Sequence, residues 1–153
     1  MVYLSWAVLG CLLLMLPMAA VESGVKVQFV GGTVTGVAAK LGGRIDATGN
    51  DALVVQCGKS LIQIPYQKIN TVEYGQNVSR RYAEALLLSP LFLLAKSRKH
   101  FVTLGFIDAD GKQQALVFRV DKGDIRSVLA ALEARTGRRV EYQDQEARKA
   151  GKG

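Results

Sequence analysis

Histidine, cysteine and proline are scarce in this chain of 153 residues: His100 is the single histidine, Cys11 and Cys57 are the two cysteines, and Pro17, Pro65 and Pro90 are the three prolines. A lone histidine leaves no spaced partner for a histidine-based metal cluster or for a Ser-His-Asp or Cys-His pair. Two cysteines, one of them inside an apolar N-terminal stretch, make no disulfide framework. Cys57, in Ala52-Leu-Val-Val-Gln-Cys57, has the surroundings of a buried, inert thiol. Paired carboxylates are also missing, so the sequence nominates no catalytic residue, no metal ligand and no cofactor, and the expectation is a protein that is not an enzyme.

Charge is absent from residues 1–20. That stretch holds the apolar core Val8 to Leu16, then Pro17 and the small residues Ala19 and Ala20, the pattern of a signal peptide. About nineteen uncharged residues also just reach across roughly 30 Å of hydrocarbon, so an N-terminal membrane anchor is the alternative. The expected location is therefore exported, in the periplasm or cell envelope, or else N-terminally membrane-anchored.

Two near-motifs dissolve on inspection. Gly58-Lys59-Ser60 ends like a phosphate-binding loop, but Leu53 stands where that loop needs its first glycine, so a hairpin turn is expected. Asp108-Ala-Asp-Gly111 opens like a calcium loop, yet no glutamate closes it and a strand follows, so it too reads as a turn.

What the chain has in quantity is strands. Val25 to Val30 alternates apolar and polar residues, Gly31-Gly32 interrupts, and Thr33 to Val37 resumes. Arg44 to Thr48, Ala52 to Cys57 and Ser60 to Ile64 follow as antiparallel strands separated by turn residues. Pro65 to Ile69 makes a corner before a strand over Asn70 to Tyr74. Phe101 to Ile107 and Gln114 to Val120 flank the turn Asp108 to Lys112 and form the strongest hairpin signal in the chain. Ile125, Val128, Leu129 and Leu132 fall at i, i+3, i+4 and i+7, one helix face that must pack on the sheet. Asp121 or Asp124 is placed to cap this helix and Gly137 to end it.

Between the late strands the rhythm breaks. Ala85 to Ala95 is an apolar run with Pro90 near its centre, bracketed by Arg80, Arg81, Lys96, Arg98 and Lys99. Proline favours two short helical pieces over one straight helix. Eleven residues reach only about 16 Å as a helix, too short to span hydrocarbon alone. The net charge is +7, and residues 80–99 carry five of the cations against Glu84 alone. Cations that flank oil, instead of forming a stripe with interleaved aromatics, fit a membrane surface better than nucleic acid. The expected contact residues are Arg80, Arg81, Leu87, Leu88, Leu91, Phe92, Leu93, Leu94, Lys96, Arg98 and Lys99. Their expected partner is a membrane surface or a protein, a second copy of the chain included, with no role for nucleic acid.

The segment Ile64-Pro-Tyr-Gln-Lys-Ile69 leading into Val72-Glu-Tyr74, the hairpin Phe101 to Val120 and the helix Gly123 to Gly137 together resemble bacterial pleckstrin-homology-like (PH-like) and GRAM-like domains. The resemblance covers residues 25–142. It implies a mainly β (α+β) fold, a PH-like barrel or sandwich of about seven antiparallel strands closed by a C-terminal amphipathic helix, here with a helical apolar insertion over 80–99. It also implies a binding module for lipids, peptides or protein partners. Residues 143–153 are expected to be a polar, fraying tail. The functional expectation is a binding or scaffold module of the cell envelope that works through residues 80–100. The alternative is a soluble periplasmic assembly subunit whose same apolar insertion serves oligomerisation or covers its own core.

Overall fold

The computed structural model describes residues 23–76, 99–143 and 145–152. Among them the chain is mainly β. Strands β1 (Val25–Gly32), β2 (Gly42–Asp46), β3 (Ala52–Cys57) and β4 (Ser60–Pro65) come first, and a 3-10 turn (Tyr66–Lys68) leads into β5 (Ile69–Gly75). Then follow β6 (His100–Ile107), β7 (Gln113–Val120), helix α1 (Ile125–Thr136), the short β8 (Glu141–Tyr142) and helix α2 (Gln145–Lys152). All eight strands belong to one open sheet in the order β4-β3-β2-β1-β7-β6-β5-β8. Pairing is antiparallel except for β8, which runs parallel to β5 through Glu73 with Glu141 and Tyr74 with Tyr142.

β1 joins the two halves of the sheet. Val25 to Gln28 pair with β2, while Val27 to Gly32 pair with β7. The register shifts between Phe29 and Gly31, so Val30 is an extra residue, and a bulge of this kind bends and twists its strand. The expected strand over Thr33 to Val37 is not formed. Gly31 and Gly32 are instead the end of β1, and the Thr33 N–H bonds Ala115 O (3.0 Å) before the chain loops to β2. Glycine suits the ladder there because a Cβ on Gly32 would come within 2.8 Å of Ala115 O.

The core lies on one face of the bent sheet. Phe29 and Phe118 meet at 5.9 Å in a tilted pair, surrounded by Leu53, Val55, Ile64, Ile69, Val72, Leu104 and Leu116. Ile125, Val128, Leu129 and Leu132 of α1 are all buried in this cluster, as their spacing predicts. Asp124 stands at the helix N-cap, but its side chain makes no capping bond; the Asp121 carbonyl accepts from the N–H groups of Asp124 and Ile125 instead. Gly137 ends the helix at φ 66°, a left-handed conformation that glycine adopts without strain, and its N–H bonds Glu133 O.

The β2–β3 turn is a hub. Arg135 of α1 donates to Asn50 Oδ1 and Thr48 O, both at 3.0 Å, and Tyr66 donates its hydroxyl to Gly49 O at 3.2 Å. The helix and the Pro65-Tyr66 corner are thereby tied to one turn. Gly43, the second residue of β2, is needed for close approach, since a Cβ there would fall 2.1 Å from Gln56 O.

Two expectations about the C-terminus change. An eighth strand is present, and residues 145–152, read from sequence as part of a polar tail, form helix α2. Small residues make this possible: Ala147 is fully buried, and Gly151 sits so close to the Tyr142, Leu129 and Tyr74 side chains that a Cβ would meet them at 2.7 to 3.4 Å. Charged residues around two small ones look solvated in sequence, but they present a bare stripe to aromatic rings.

Removal of residues 145–153 is therefore expected to lower stability by on the order of 2 kcal/mol, through exposure of Tyr74 and Leu129. Urea unfolding of the truncated and full chains measures this, and equal midpoints would return the segment to a fraying end.

Candidate functional site

One end of the sheet gathers positive charge. Val120 pairs with both Val27 and His100, so the start of β1, the start of β6 and the end of β7 are neighbours. On the face away from the core, Lys26 stands opposite Arg44, which stands opposite Gln56, while Gln28 stands opposite Arg119. Polar residues alternate here with the inward Val25, Val27 and Phe29, the period that turns alternate side chains outward.

Lys26 and Arg44 are like charges directly across a strand pair, an arrangement that costs stability. Arg44 Nη1 donates to Gly24 O (3.1 Å), and Arg119 Nη1 donates to Gln28 Oε1 (3.3 Å). Two shallow depressions share Lys26 and Val27 and run together into one groove: one of about 440 Å³ walled by Gly42, Gly43, Arg44, Gln56 and Gly58, the other of about 280 Å³ walled by Gln28, Arg119 and Asp121. Asp121 is the carboxylate among these lining residues. A Cβ on Gly42 would meet nothing within 4 Å, so the missing side chain leaves the groove open. Ammonium and guanidinium groups around a shallow floor suit an anion such as a phosphate.

Lys99 and Lys122 extend the basic end. Lys99 is half-buried just ahead of β6, and Lys122 is near enough to His100 to disfavour its charged form. His100 stacks nearly parallel on the buried Tyr74 ring, with 6.0 Å between centroids, and the Tyr74 hydroxyl meets its Nδ1. Burial, with Lys122 second, pushes the His100 pKa below its ordinary value. The neutral ring, paired with the buried tyrosine hydroxyl, has a structural role. Tyr142 packs edge-on against the same Tyr74 ring at 6.1 Å, which links β5, β6 and the C-terminal segment. Cys57 is buried and its thiol pKa is raised by that burial, away from the reactive thiolate.

Of the expected contact residues, Lys99 is placed at this end. Arg80, Arg81, Leu87, Leu88, Leu91, Phe92, Leu93, Leu94, Lys96 and Arg98 lie outside the described residues. Sequence reasoning missed Lys26, Arg119 and Lys122, which come from β1, β7 and the turn after β7. Alternation in β1 marks Lys26 as outward, but only strand register sets it beside Arg44 and near Arg119.

The turn read as a false calcium loop holds itself together. Asp108 Oδ1 accepts from the N–H groups of Asp110 (2.9 Å) and Lys112 (2.8 Å), and Oδ2 accepts from Gln114 (2.7 Å). The Gln114 bond above all holds the Asp108 carboxyl below its ordinary pKa. Among the described residues no group of three His, Cys, Asp or Glu side chains could hold a metal ion, and no helix is long and apolar enough to cross a membrane.

Comparison with models of known protein families gives no match to this chain, and comparison with curated proteins gives none either.

His100 sets an expected pH dependence. Its folded pKa lies below the ordinary 6.5, so the unfolded chain binds more protons as pH falls past that value. Its contribution is complete above 6.5 and is lost as pH falls through the lower folded value. Urea midpoints between about pH 7.5 and 5 should fall for the wild type and stay flatter for His100→Gln; parallel curves would show that the imidazole stays solvated in both states.

Proposed function

We propose that the protein is a non-enzymatic binding module of the cell envelope, PH-like in architecture, that meets an anionic membrane surface with the basic end of its sheet and with the 80–100 insertion. In support of the architecture, a four-strand meander is followed by three strands and a helix that packs on the core. The observation that carries the functional proposal is convergence. Residues 1–22 join the sheet at the start of β1, and residues 77–98 rejoin it at the start of β6. Both junctions lie at the end that holds Lys26, Arg44, Lys99, Arg119 and Lys122. A chain held near a membrane by its N-terminal segment would turn that end toward the headgroups. Each cation near an anionic surface contributes about 1 kcal/mol, and each buried leucine roughly 1.5 to 3 kcal/mol, so apolar contacts would dominate.

A specific observation favours the second reading, a cover for the protein's own sheet or a contact with a second copy. Phe101, Thr103, Ala115 and Val117 are buried although they alternate with the core residues of β6 and β7 and lie outside the core cluster. These two strands are thus buried on both faces, which accounts for their nearly unbroken apolar sequence. Leucines of the insertion are the right chemistry to lie against that second face.

Flotation of residues 21–153 with liposomes rich in phosphatidylserine separates these readings. The fragment is expected to float, and Lys26→Gln with Arg44→Gln should weaken partitioning by roughly twenty-five-fold, about fivefold for each charge. Leu88→Asp with Leu93→Asp should abolish flotation while leaving the urea midpoint unchanged. A large drop in that midpoint would assign these leucines to the fold, and a drop in oligomer mass by light scattering would assign them to a second copy.

A further inference from the structure

The opposite end of the sheet carries a different kind of surface. A cleft of about 690 Å³ lies between β4, the segment Thr33 to Thr35 after β1, and the tip of the β6–β7 hairpin from Phe106 to Lys112. Four consecutive residues of β4, Ile62 to Pro65, line it. Side chains of consecutive strand residues point to opposite faces, so a cleft that touches all four is bordered by the strand's backbone edge. Among the described residues, β4 is the terminal strand of the sheet on that side.

Register identifies the groups that this edge offers. Cys57 and Ser60 flank the two-residue turn Gly58-Lys59 and close the hairpin as a hydrogen-bonded pair, so Ser60, Ile62 and Ile64 bond toward β3. The Tyr66 N–H continues the same alternation by bonding Asp51 O. Leu61 and Gln63 therefore turn their N–H and C=O groups outward. Pro65, the next outward position, has no N–H to offer and limits the edge to these two residues. Leu61 is also 61% exposed, an unusual position for a large apolar side chain on an edge. Ile62, Ile64, Val34 and Phe106 supply an apolar wall, and Lys68 and Lys112 stand at the rim. Two carboxylates share the rim with these lysines: Asp108, engaged by two backbone N–H groups and Gln114, and the exposed Asp110 beside Lys112.

We propose that the β4 edge is a docking site for an extended peptide segment of a partner protein. Its backbone pairs with Leu61 and Gln63, its alternate apolar side chains enter the cleft or cover Leu61, and an acidic flank meets Lys68, away from the Asp108 and Asp110 carboxylates that neighbour Lys112. Backbone bonds supply affinity in this mode and the pocket supplies side-chain preference. The cleft is at the far end of β1, β6 and β7 from the basic groove, so this inference stands whether or not the membrane reading does.

The test uses the full chain, labelled with nitrogen-15 in mild detergent, and a synthetic acetylated, amidated peptide, Glu-Thr-Val-Thr-Val-Thr-Val-Glu, at about 1 mM. Amide exchange at Leu61 and Gln63 is expected to slow at least about tenfold, with shift changes confined to β4, residues 33–35 and residues 106–112. A copy of the peptide N-methylated on alternate residues, unable to pair, should lose the effect. Ala109→Trp, a substitution at an exposed turn position lining the cleft, should weaken binding by at least about tenfold with the rest of the spectrum unchanged. Failure to bind at that concentration overturns the proposal. So does equal binding of the N-methylated copy, insensitivity to Ala109→Trp, or shift changes centred on Lys26 and Arg44.

Discussion

The fold depends on a single strand with two partners. β1 pairs with β2 through Val25 to Gln28 and with β7 through Val27 to Gly32, with a change of register at Val30 inside the β7 ladder. Without the shared strand, the β2–β3–β4 meander and the β5–β6–β7 meander would be separate ribbons, each with an apolar face and no means of covering it. With it, Phe29 stands directly opposite Phe118 in the ladder, and Leu53, Ile64, Val72 and Leu104 join them in one cluster that α1 completes. The glycines around β1 and β2 serve this constraint. Gly32 and Gly43 lie where the strands pass too closely for a Cβ.

The same constraint sets the chemistry of the two ends. Because β1, β6 and β7 are adjacent and of similar length, one end collects the start of β1, the start of β6 and the end of β7, with their cations. The other collects the loop after β1 and the hairpin tip. Cations at the first end sit on outward positions of three strands and in short connections. At the second end, Asp108 is engaged within its turn, and apolar side chains and a strand edge face the cleft beneath a rim of both charge signs, Lys68, Asp110 and Lys112. The ends therefore differ in kind: a shallow, mostly cationic surface at one, a deeper and partly apolar cleft of mixed charge at the other.

Much of this was legible in the residues. Alternation located β1, turn residues marked off β3, β4 and β5, the turn Asp108 to Lys112 marked the β6–β7 hairpin, and the i, i+3, i+4, i+7 spacing identified the face of α1 down to the four buried side chains. Glycine at 137 ended the helix as expected. Three features were not legible. Thr33 to Val37 has the composition of a strand, but β1 has already turned through its bulge and the ladder ends. Residues 145–152 have the composition of a solvated end, yet Ala147 is fully buried and Gly151 lies against Tyr74, Tyr142 and Leu129. The parallel β8 is two residues long, too short to carry any period.

The sequence by itself determined the local elements, the buried character of Cys57, the lack of a catalytic constellation to nominate, and the presence of an apolar run between cations over 80–99. Each of these is a property of neighbouring residues or of counts, and short-range physics suffices to read it. Tertiary structure alone decided which outward residues share a groove, which strand is left at an edge, and which histidine nitrogen meets a tyrosine. Those depend on register between strands far apart in the chain, where a slip of one residue would turn Lys26, Arg44 and Arg119 inward and present the core to water.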